Sequence, residues 1–255
     1  MLGFHTIVVG VDGSEESLAA LTQARGLLGP EGRLVAVVVG EERLAFQAGF
    51  DAPRMSTELQ EATRAVLDEV RVLLADVPGA EVRLAHGRPG PCLLEVAKET
   101  DADLLAVGSH EHSRVAGILL GSVATEVLHE AQRSVLLARR PGGTFATVVA
   151  GVDGSKQSLA ALAVARARVE AEEAQVRTIA AEGGKPLDLD GLAQVTGLEW
   201  SQRDPVAALV AASETADLLV VGSRGLHGLG SLGSVSERVA HRACCSVLVV
   251  RDPAS

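Results

Sequence analysis

The feature that most constrains this chain is a repeat. "GVDGSEESLAAL" (Gly10–Leu21) returns as "GVDGSKQSLAAL" (Gly151–Leu162), at an offset of 141 in the numbering. "ADLLAVGS" (Ala102–Ser109) returns as "ADLLVVGS" (Ala216–Ser223) at an offset of 114, and "GSVATEVLHEA" (Gly121–Ala131) as "GSVSERVAHRA" (Gly233–Ala243) at 112. Three blocks recurring in one order make this a single domain written twice in tandem. The falling offset shows where the copies differ. The second is shorter by 27 between the first two blocks and by two between the last two. The Pro- and Gly-rich "RRPGGT" (Arg139–Thr144) is the expected linker, dividing the chain into residues 1–141 and 142–255.

Within each copy the pattern reads as α/β. "FHTIVVGV" and "FATVVAGV" are short β-branched apolar runs, as expected of strands covered on both faces. Each leads through Asp-Gly-Ser into a helical stretch that Ser14 or Ser155 would cap, and Glu15 and Glu16 suit the positive end of the first one. Second strands follow ("RLVAVVVG"; "QVRTIAA"). Copy one then predicts a long helix over roughly Met55–Asp76, where copy two keeps a short one near Leu189–Thr196. Each copy continues with a third strand ("AEVRLAHG"; "LEWSQ"), a helix opening near Pro91 or Asp204 and a fourth strand in the repeated "ADLL" block. A glycine-rich loop, a last helix and a fifth strand ("SVLLAR"; "SVLVVR") complete it. Strands alternating with helices imply crossover connections. The expected fold is therefore α/β: two tandem doubly wound domains, each with a five-stranded, mainly parallel sheet.

Composition narrows the partners. Hydrophobic residues make up 47% and aromatics 2%, so the core is expected to be Ala, Val and Leu. A net charge of -10 with no Lys/Arg cluster suits neither nucleic acid nor an anionic membrane. No apolar stretch reaches the roughly 18 residues of a membrane span. The start, "MLGFHTIVVGVDGS", lacks the basic flank of a signal peptide. Of the cysteines Cys92, Cys244 and Cys245, two are adjacent and one is left over, which is no disulfide framework. Together these predict a cytoplasmic protein.

Ligands of open parallel sheets bind at the carboxyl ends of the strands. Asp12 and Asp153 close the first strand of each copy, and Gly108 and Gly222 close the fourth. The loop "GSRGLHGLGSLGSV" (Gly222–Val235) is glycine-rich and ends at a helix start. Backbone amides and the helix dipole there favour phosphate, with Gly233 and Ser234 supplying an amide and a hydroxyl. The same residues also read as an ordinary loop with a serine cap, and loop physics leaves both readings open.

At this point the chain resembles a tandem universal stress protein, over nearly its whole length. That family carries Gly, two residues, Gly, nine residues, Gly, then Ser or Thr after its fourth strand, and an Asp ending its first strand helps hold adenosine. It has members that bind ATP and members that do not. The resemblance implies adjacent first and fourth strands, placing Asp12 beside Gly108 and Asp153 beside Gly222. It implies backbone contributions to an adenine pocket from Val39 and Ala181, at the ends of the second strands. Phosphates would lie at Gly121-Ser122-Val123 in copy one and Gly233-Ser234-Val235 in copy two. The fifth strands resemble the family's edge strand, which pairs antiparallel between subunits. Here the two copies would pair with each other as a pseudo-dimer, burying edges that otherwise invite aggregation.

Neither copy keeps the whole motif. Copy one has Glu111 where the second glycine belongs, a carboxylate that repels a triphosphate unless a cation intervenes. Copy two keeps Gly222 and Gly225 but has only seven residues before Gly233-Ser234. Its Arg224 and His227 are within reach of a phosphate or are solvent-facing side chains. Copy two is expected to be the better phosphate grip, and copy one, with the longer body, the fuller wall for adenosine.

The expected function is binding of an adenine nucleotide, ATP alone or with Mg²⁺, in a stress-response or signalling protein without efficient catalysis. Homodimerisation and a protein partner are further expectations. The alternatives are a non-nucleotide interaction module of the same fold and a slow ATPase; for the latter only Glu111, His112 and His227 stand near the loops as bases. "GLGSLG" (Gly228–Gly233) spells a dinucleotide fingerprint, but it starts several residues after its strand and copy one lacks it. No Walker-type P-loop is present. His110, Glu111 and His112 lack zinc-like spacing. Cys92 opens a helix, where a thiol's pKa can fall, but no base is placed beside it by sequence and packing is the favoured role. Cys244-Cys245 reads as core or turn, and His86 and His129 as single structural histidines.

Overall fold

A computed structural model of the chain describes residues 3–40, 52–109, 120–139, 141–172, 174–182, 187–223 and 234–251. Copy one runs β1 (Phe4–Gly10), α1 (Glu15–Leu27), β2 (Leu28–Gly40), α2 (Ala52–Leu73), β3 (Glu81–His86), α3 (Pro89–Glu99), β4 (Leu104–Gly108), α4 (Ser122–Glu130) and β5 (Ser134–Ala138). Copy two runs β6 (Thr147–Gly151), α5 (Lys156–Glu172), β7 (Gln175–Ala181), α6 (Leu189–Leu192), β8 (Leu198–Ser201), α7 (Pro205–Ser213), β9 (Leu218–Ser223), α8 (Ser234–Arg242) and β10 (Ser246–Arg251). The stretch that copy two lacks is mostly a helix: α2 has 22 residues and α6, its counterpart, has four. Strand β2 begins earlier than its sequence suggests, because Leu28 already pairs with Phe4. Helix α3 opens at Pro89, ahead of Pro91, since proline at the first helical position has no amide to leave unbonded.

The strands form one ten-stranded sheet in the order β3-β2-β1-β4-β5-β10-β9-β6-β7-β8. Every pairing within a copy is parallel. Strand alternation splits the core between two faces. Val8 and Val35 pack under α3, α4, α7 and α8 on one face, while Ile7 and Val9 pack under α1, α2 and α5 on the other. The repeated "ADLL" block is scaffold. Asp103 Oδ2 accepts from the amides of His5 and Thr6 at 2.6 and 3.0 Å, and Asp217 Oδ2 accepts from Thr147 at 2.8 Å, which pins β1 to β4 and β6 to β9.

The copies meet where β5 runs antiparallel to β10, with Leu136 facing Leu248 and Leu137 facing Val247. These side chains are fully buried, and each leucine stabilises the seam by roughly 1.5–3 kcal/mol. The resemblance implies this pairing. It does not foretell an exchange of arginines across the seam. Arg139, just beyond β5, donates from its guanidinium to the carbonyls of Ala240 and Cys245, at the end of α8 and just past it. Arg251, at the end of β10, donates to the carbonyl of Leu128 in α4. Ser246 and Ser134 Oγ accept from the two arginine amides at 3.1 Å each. Burial pushes both guanidinium pKa values down to about 10. The negative ends of two helices compensate this buried charge. The outer strands β3 and β8 carry ion pairs instead, Arg83–Glu81 and Arg177–Glu199, which suits an edge that must not pair further.

Candidate functional site

The doubled "GVDGS" forms the same hydrogen-bonded lock twice. Asp12 Oδ1 accepts from the Ser14 amide at 2.9 Å and the Ser14 hydroxyl at 2.6 Å. Ser14 Oγ then accepts from the Ser17 amide at 3.2 Å, capping α1, while Ser17 Oγ accepts from the Asp12 amide at 3.2 Å and donates to the Ser14 carbonyl. Copy two repeats every one of these contacts. Asp153 Oδ1 accepts from the Ser155 amide and hydroxyl at 3.0 and 2.5 Å, and Ser155 Oγ accepts from the Ser158 amide at 3.3 Å. Ser158 Oγ accepts from the Asp153 amide at 3.2 Å and donates to the Ser155 carbonyl at 3.0 Å. Gly13 and Gly154 turn the chain at φ +83° and +84°. Burial alone would raise the Asp153 carboxyl, but the hydrogen bonds from Ser155 and Ser158 outweigh it and hold its pKa below the ordinary aspartate value. Both aspartates remain exposed at the sheet edge. Both Ser155 bonds fall on Oδ1 of Asp153. The third member of each lock, Ser17 or Ser158, escapes the sequence reading, although its spacing in the repeat displays it.

Gly108 and Gly222 lie on the strands adjacent to β1 and β6, whose last residues, Gly10 and Gly151, precede Asp12 and Asp153 by two, since β1 pairs with β4 and β6 with β9. Their small size serves packing first. A Cβ on Gly108 would stand 2.9 Å from the Glu16 carbonyl carbon and the Ser17 amide, and one on Gly222 would strike Gln157 and stand 2.8 Å from the Ser158 amide. Each glycine lets the first helix of its copy sit directly on the fourth strand, next to the aspartate lock.

Helix α4 supplies the phosphate-type feature. Its N-cap is Gly121, whose amide is taken by the Ser109 carbonyl at 2.9 Å and which has no side chain to accept from the first turn. The caps Ser14 of α1, Asp188 of α6 and Asp204 of α7 all use a side-chain oxygen instead. The amino end of α4, with Val123 in its first turn, thus faces the carboxyl edge of the sheet with its helix dipole. This helix end fits the phosphate of a nucleotide. In copy two Val235 lies in the first turn of α8 and Ser234 begins it. Val39 and Ala181 occupy equivalent places: Val11 donates to Val37 and Val152 to Ile179, each at 2.9 Å, two residues before them. Val39 is half-buried and Ala181 buried. Arg224, Gly225, Gly233, Glu111, His110, His112 and His227 lie outside the described residues, or, for Gly233, just before the start of α8 and likewise outside them.

Copy two closes over its turn more tightly. The Asp188 amide donates to the Asp153 carbonyl at 2.8 Å, and Gly191 packs its backbone on that of Gly154. In copy one the same place, beside Gly13, faces the side chain of Val66 on α2. A cavity of about 330 Å³ opens between β8 and α7, lined by Ile179, Trp200, Arg203 and Ala211 among others. None of the residues singled out in the sequence for nucleotide binding lines it.

The Cys92 thiol is pushed up by burial and by Glu95, which accords with the packing role favoured for it and not with an activated nucleophile. One sequence reading changes. His129 is not solitary: with Glu237 and His241 it forms a cluster whose ligand atoms all lie within 4.8 Å of one another. The signal for it is present in the repeat, because His129 and His241 are equivalent at the offset of 112, and Glu237 precedes His241 by one helical turn. No helix among the described residues is long and apolar enough to cross a membrane.

Comparison with known proteins accords with this architecture. A sequence profile described as the Universal stress protein family matches residues 3–139 and 166–251. The universal stress protein Rv2005c of Mycobacterium tuberculosis is 30% identical over 291 residues, covering 97% of each chain. Rv2624c, a universal stress protein of the same organism, is 30% identical over 274 residues, covering 96% of each. A universal stress protein structure from Archaeoglobus fulgidus superposes with a TM-score of 0.72 at 25% identity, over 96% of both chains. Matching segments in both halves, a shared strand–helix alternation and whole-length similarity lead to one conclusion: the chain belongs to the universal stress protein family and carries its domain twice in tandem.

Proposed function

We propose that this chain binds an adenine nucleotide, ATP alone or with Mg²⁺, and does not turn it over efficiently. The observation that carries the reading is the start of α4, where a glycine cap turns the positive end of the helix toward the same sheet edge as the Asp12 lock. In copy one Asp12 would take the ribose, Val39 the adenine through its backbone, and Gly108, Gly121, Ser122 and Val123 the phosphates. In copy two Asp153, Ala181, Gly222 and Val235 hold equivalent places, with Arg224, Gly225, Gly233 and Ser234 completing the set. Membership of a family with ATP-binding members supports the reading. We also propose the division of the chain at residues 141 and 142, and a binding rather than catalytic role in stress response or signalling.

Calorimetry with ATP, ADP and AMP, with and without Mg²⁺, tests the proposal. Micromolar affinity, about -8 kcal/mol, is expected. Asp12→Ala and Asp153→Ala, made separately, assign the heat to copy one or copy two. No heat from the unmodified protein with any of the three nucleotides would overturn nucleotide binding and favour an interaction module, the reading that Glu111 and the shortened second loop support. Turnover near 1 s⁻¹ or faster, within the ordinary enzyme range, would overturn the non-catalytic part.

A further inference from the structure

The cluster at the seam uses none of the nucleotide-site residues. His129 lies in the last turn of α4 in copy one, and His241 in the last turn of α8 in copy two. They are equivalent residues of the repeat, and the pairing of β5 with β10 brings their helices to one side of the seam. Glu237 stands one turn before His241 on α8, and its Oε1 is 3.4 Å from His129 Nε2. Thr125 takes the position of Glu237 in copy one, so the repeat builds this three-residue group once.

We propose that His129, Glu237 and His241 form a binding site for a divalent transition metal of the zinc class, joining the two copies across the seam. Two imidazole nitrogens and one carboxylate oxygen are a recognised zinc donor set, which leaves a fourth position to water. Donor atoms around tetrahedral zinc stand roughly 3.3 Å apart, from bond lengths of about 2.0–2.1 Å. The His129–Glu237 pair is already at 3.4 Å, and the whole group lies within 4.8 Å, so rotamer adjustment suffices to close it. All three residues are half-buried, which shields the bonds and still admits an ion. The carboxyl ends of both helices converge here, and their negative dipole ends favour a cation.

The surrounding charges are mixed. Glu237 attracts a metal, whereas Arg139, seated on the α8 carbonyls nearby, opposes it. Burial, His129 and Arg139 lower the His241 pKa against the pull of Glu237, which favours the neutral imidazole that a metal requires. A simple His129–Glu237 ion pair accounts for two of the residues. It gives no role to a second, neutral imidazole within the same group.

The test uses the full chain, stripped with chelator and titrated with zinc chloride against a competing chromophoric chelator. One equivalent is expected to bind, and to raise the melting temperature by roughly 5–10 °C at a hundredfold excess over Kd. Replacing the zinc with cobalt(II) should give the strong visible absorption of a four-coordinate site. His129→Gln and His241→Gln should each weaken binding at least about a hundredfold, with circular dichroism of the metal-free variants verifying their folds. Should His241→Gln fail to fold, His129→Gln and Glu237→Gln carry the same comparison. No zinc binding by the unmodified protein tighter than about 100 μM, or zinc binding unchanged in well-folded His129→Gln and Glu237→Gln, overturns the proposal.

Discussion

The two copies offer a controlled experiment on backbone packing at the aspartate locks. Gly13 and Gly154 are equivalent and share one conformation, φ +83° and +84°. Alanine at either position therefore meets the same left-handed strain, about 1–2 kcal/mol. The surroundings differ. A Cβ at Gly13 would stand 2.8 Å from Val66 Cγ2, the end of a side chain that can rotate away. A Cβ at Gly154 would overlap the Asp188 carbonyl oxygen and stand 2.8 Å from its carbon. That backbone cannot easily retreat, because the Asp188 amide is bonded to the Asp153 carbonyl at 2.8 Å and its carboxylate accepts from Gly191. Overpacking against fixed atoms adds about 1–3 kcal/mol, and alanine's smaller unfolded-state entropy offsets about 0.4–1 kcal/mol. Gly13→Ala should thus cost roughly 1 kcal/mol and Gly154→Ala roughly 2–4 kcal/mol. Urea unfolding followed by circular dichroism measures both. Equal destabilisation, or a larger loss for Gly13→Ala, would refute the argument that the short α6 segment clamps the second turn.

Further expectations follow from single contacts. Asp204 caps α7 by accepting from the amides of Val206 and Ala207 at 3.0 and 3.3 Å, so Asp204→Ala should lower stability by about 1 kcal/mol in the same urea assay. Leu136 is fully buried opposite Leu248 at the seam, and Leu136→Ala should cost about 2–5 kcal/mol in thermal unfolding. A loss under about 1 kcal/mol would mean the seam is not a packed core. Asp153 has a folded pKa below its ordinary value. The stability it confers is complete above the unfolded pKa and is lost as pH falls through the folded one. The melting-temperature gap between the unmodified protein and Asp153→Asn should therefore narrow on acidification, and a constant gap would argue against a stabilised carboxylate. Arg177 and Glu199 pair at 2.8 Å on an exposed edge, where Arg177→Ala should change stability by less than about 1 kcal/mol.

Much of the fold is legible locally. Short Val- and Leu-rich runs suit inner parallel strands, which bury both faces, and β4, β6 and β9 fall where the apolar runs do. Ser14 announces the start of α1 because a serine hydroxyl there has a helix amide to accept from. Boundaries are less legible where pairing sets them. Leu28 joins β2 because Phe4 is its partner, which no window around "LGPEGR" reveals. At the site, Asp12 and Asp153 are legible from their position at a strand end. The packing role of Gly108 and Gly222 is not, since it depends on the backbone of a helix remote in the chain being pressed onto the strand in space.

By itself, then, the sequence determined that one α/β unit is written twice, that an aspartate followed by serines comes just after the first strand of each copy, and that the second copy lacks a long helix. These properties reside in near neighbours and in self-similarity. The resemblance implied that the fifth strands pair, and tertiary structure alone decided which side chains that pairing brings together. Antiparallel contact between β5 and β10 brings equivalent residues together across the seam, so Arg139 reaches α8, Arg251 reaches α4, and His129 meets His241 and Glu237. In the chain those two histidines are equivalent positions of different copies, 112 residues apart. Only the approximate twofold arrangement of the two copies makes them neighbours.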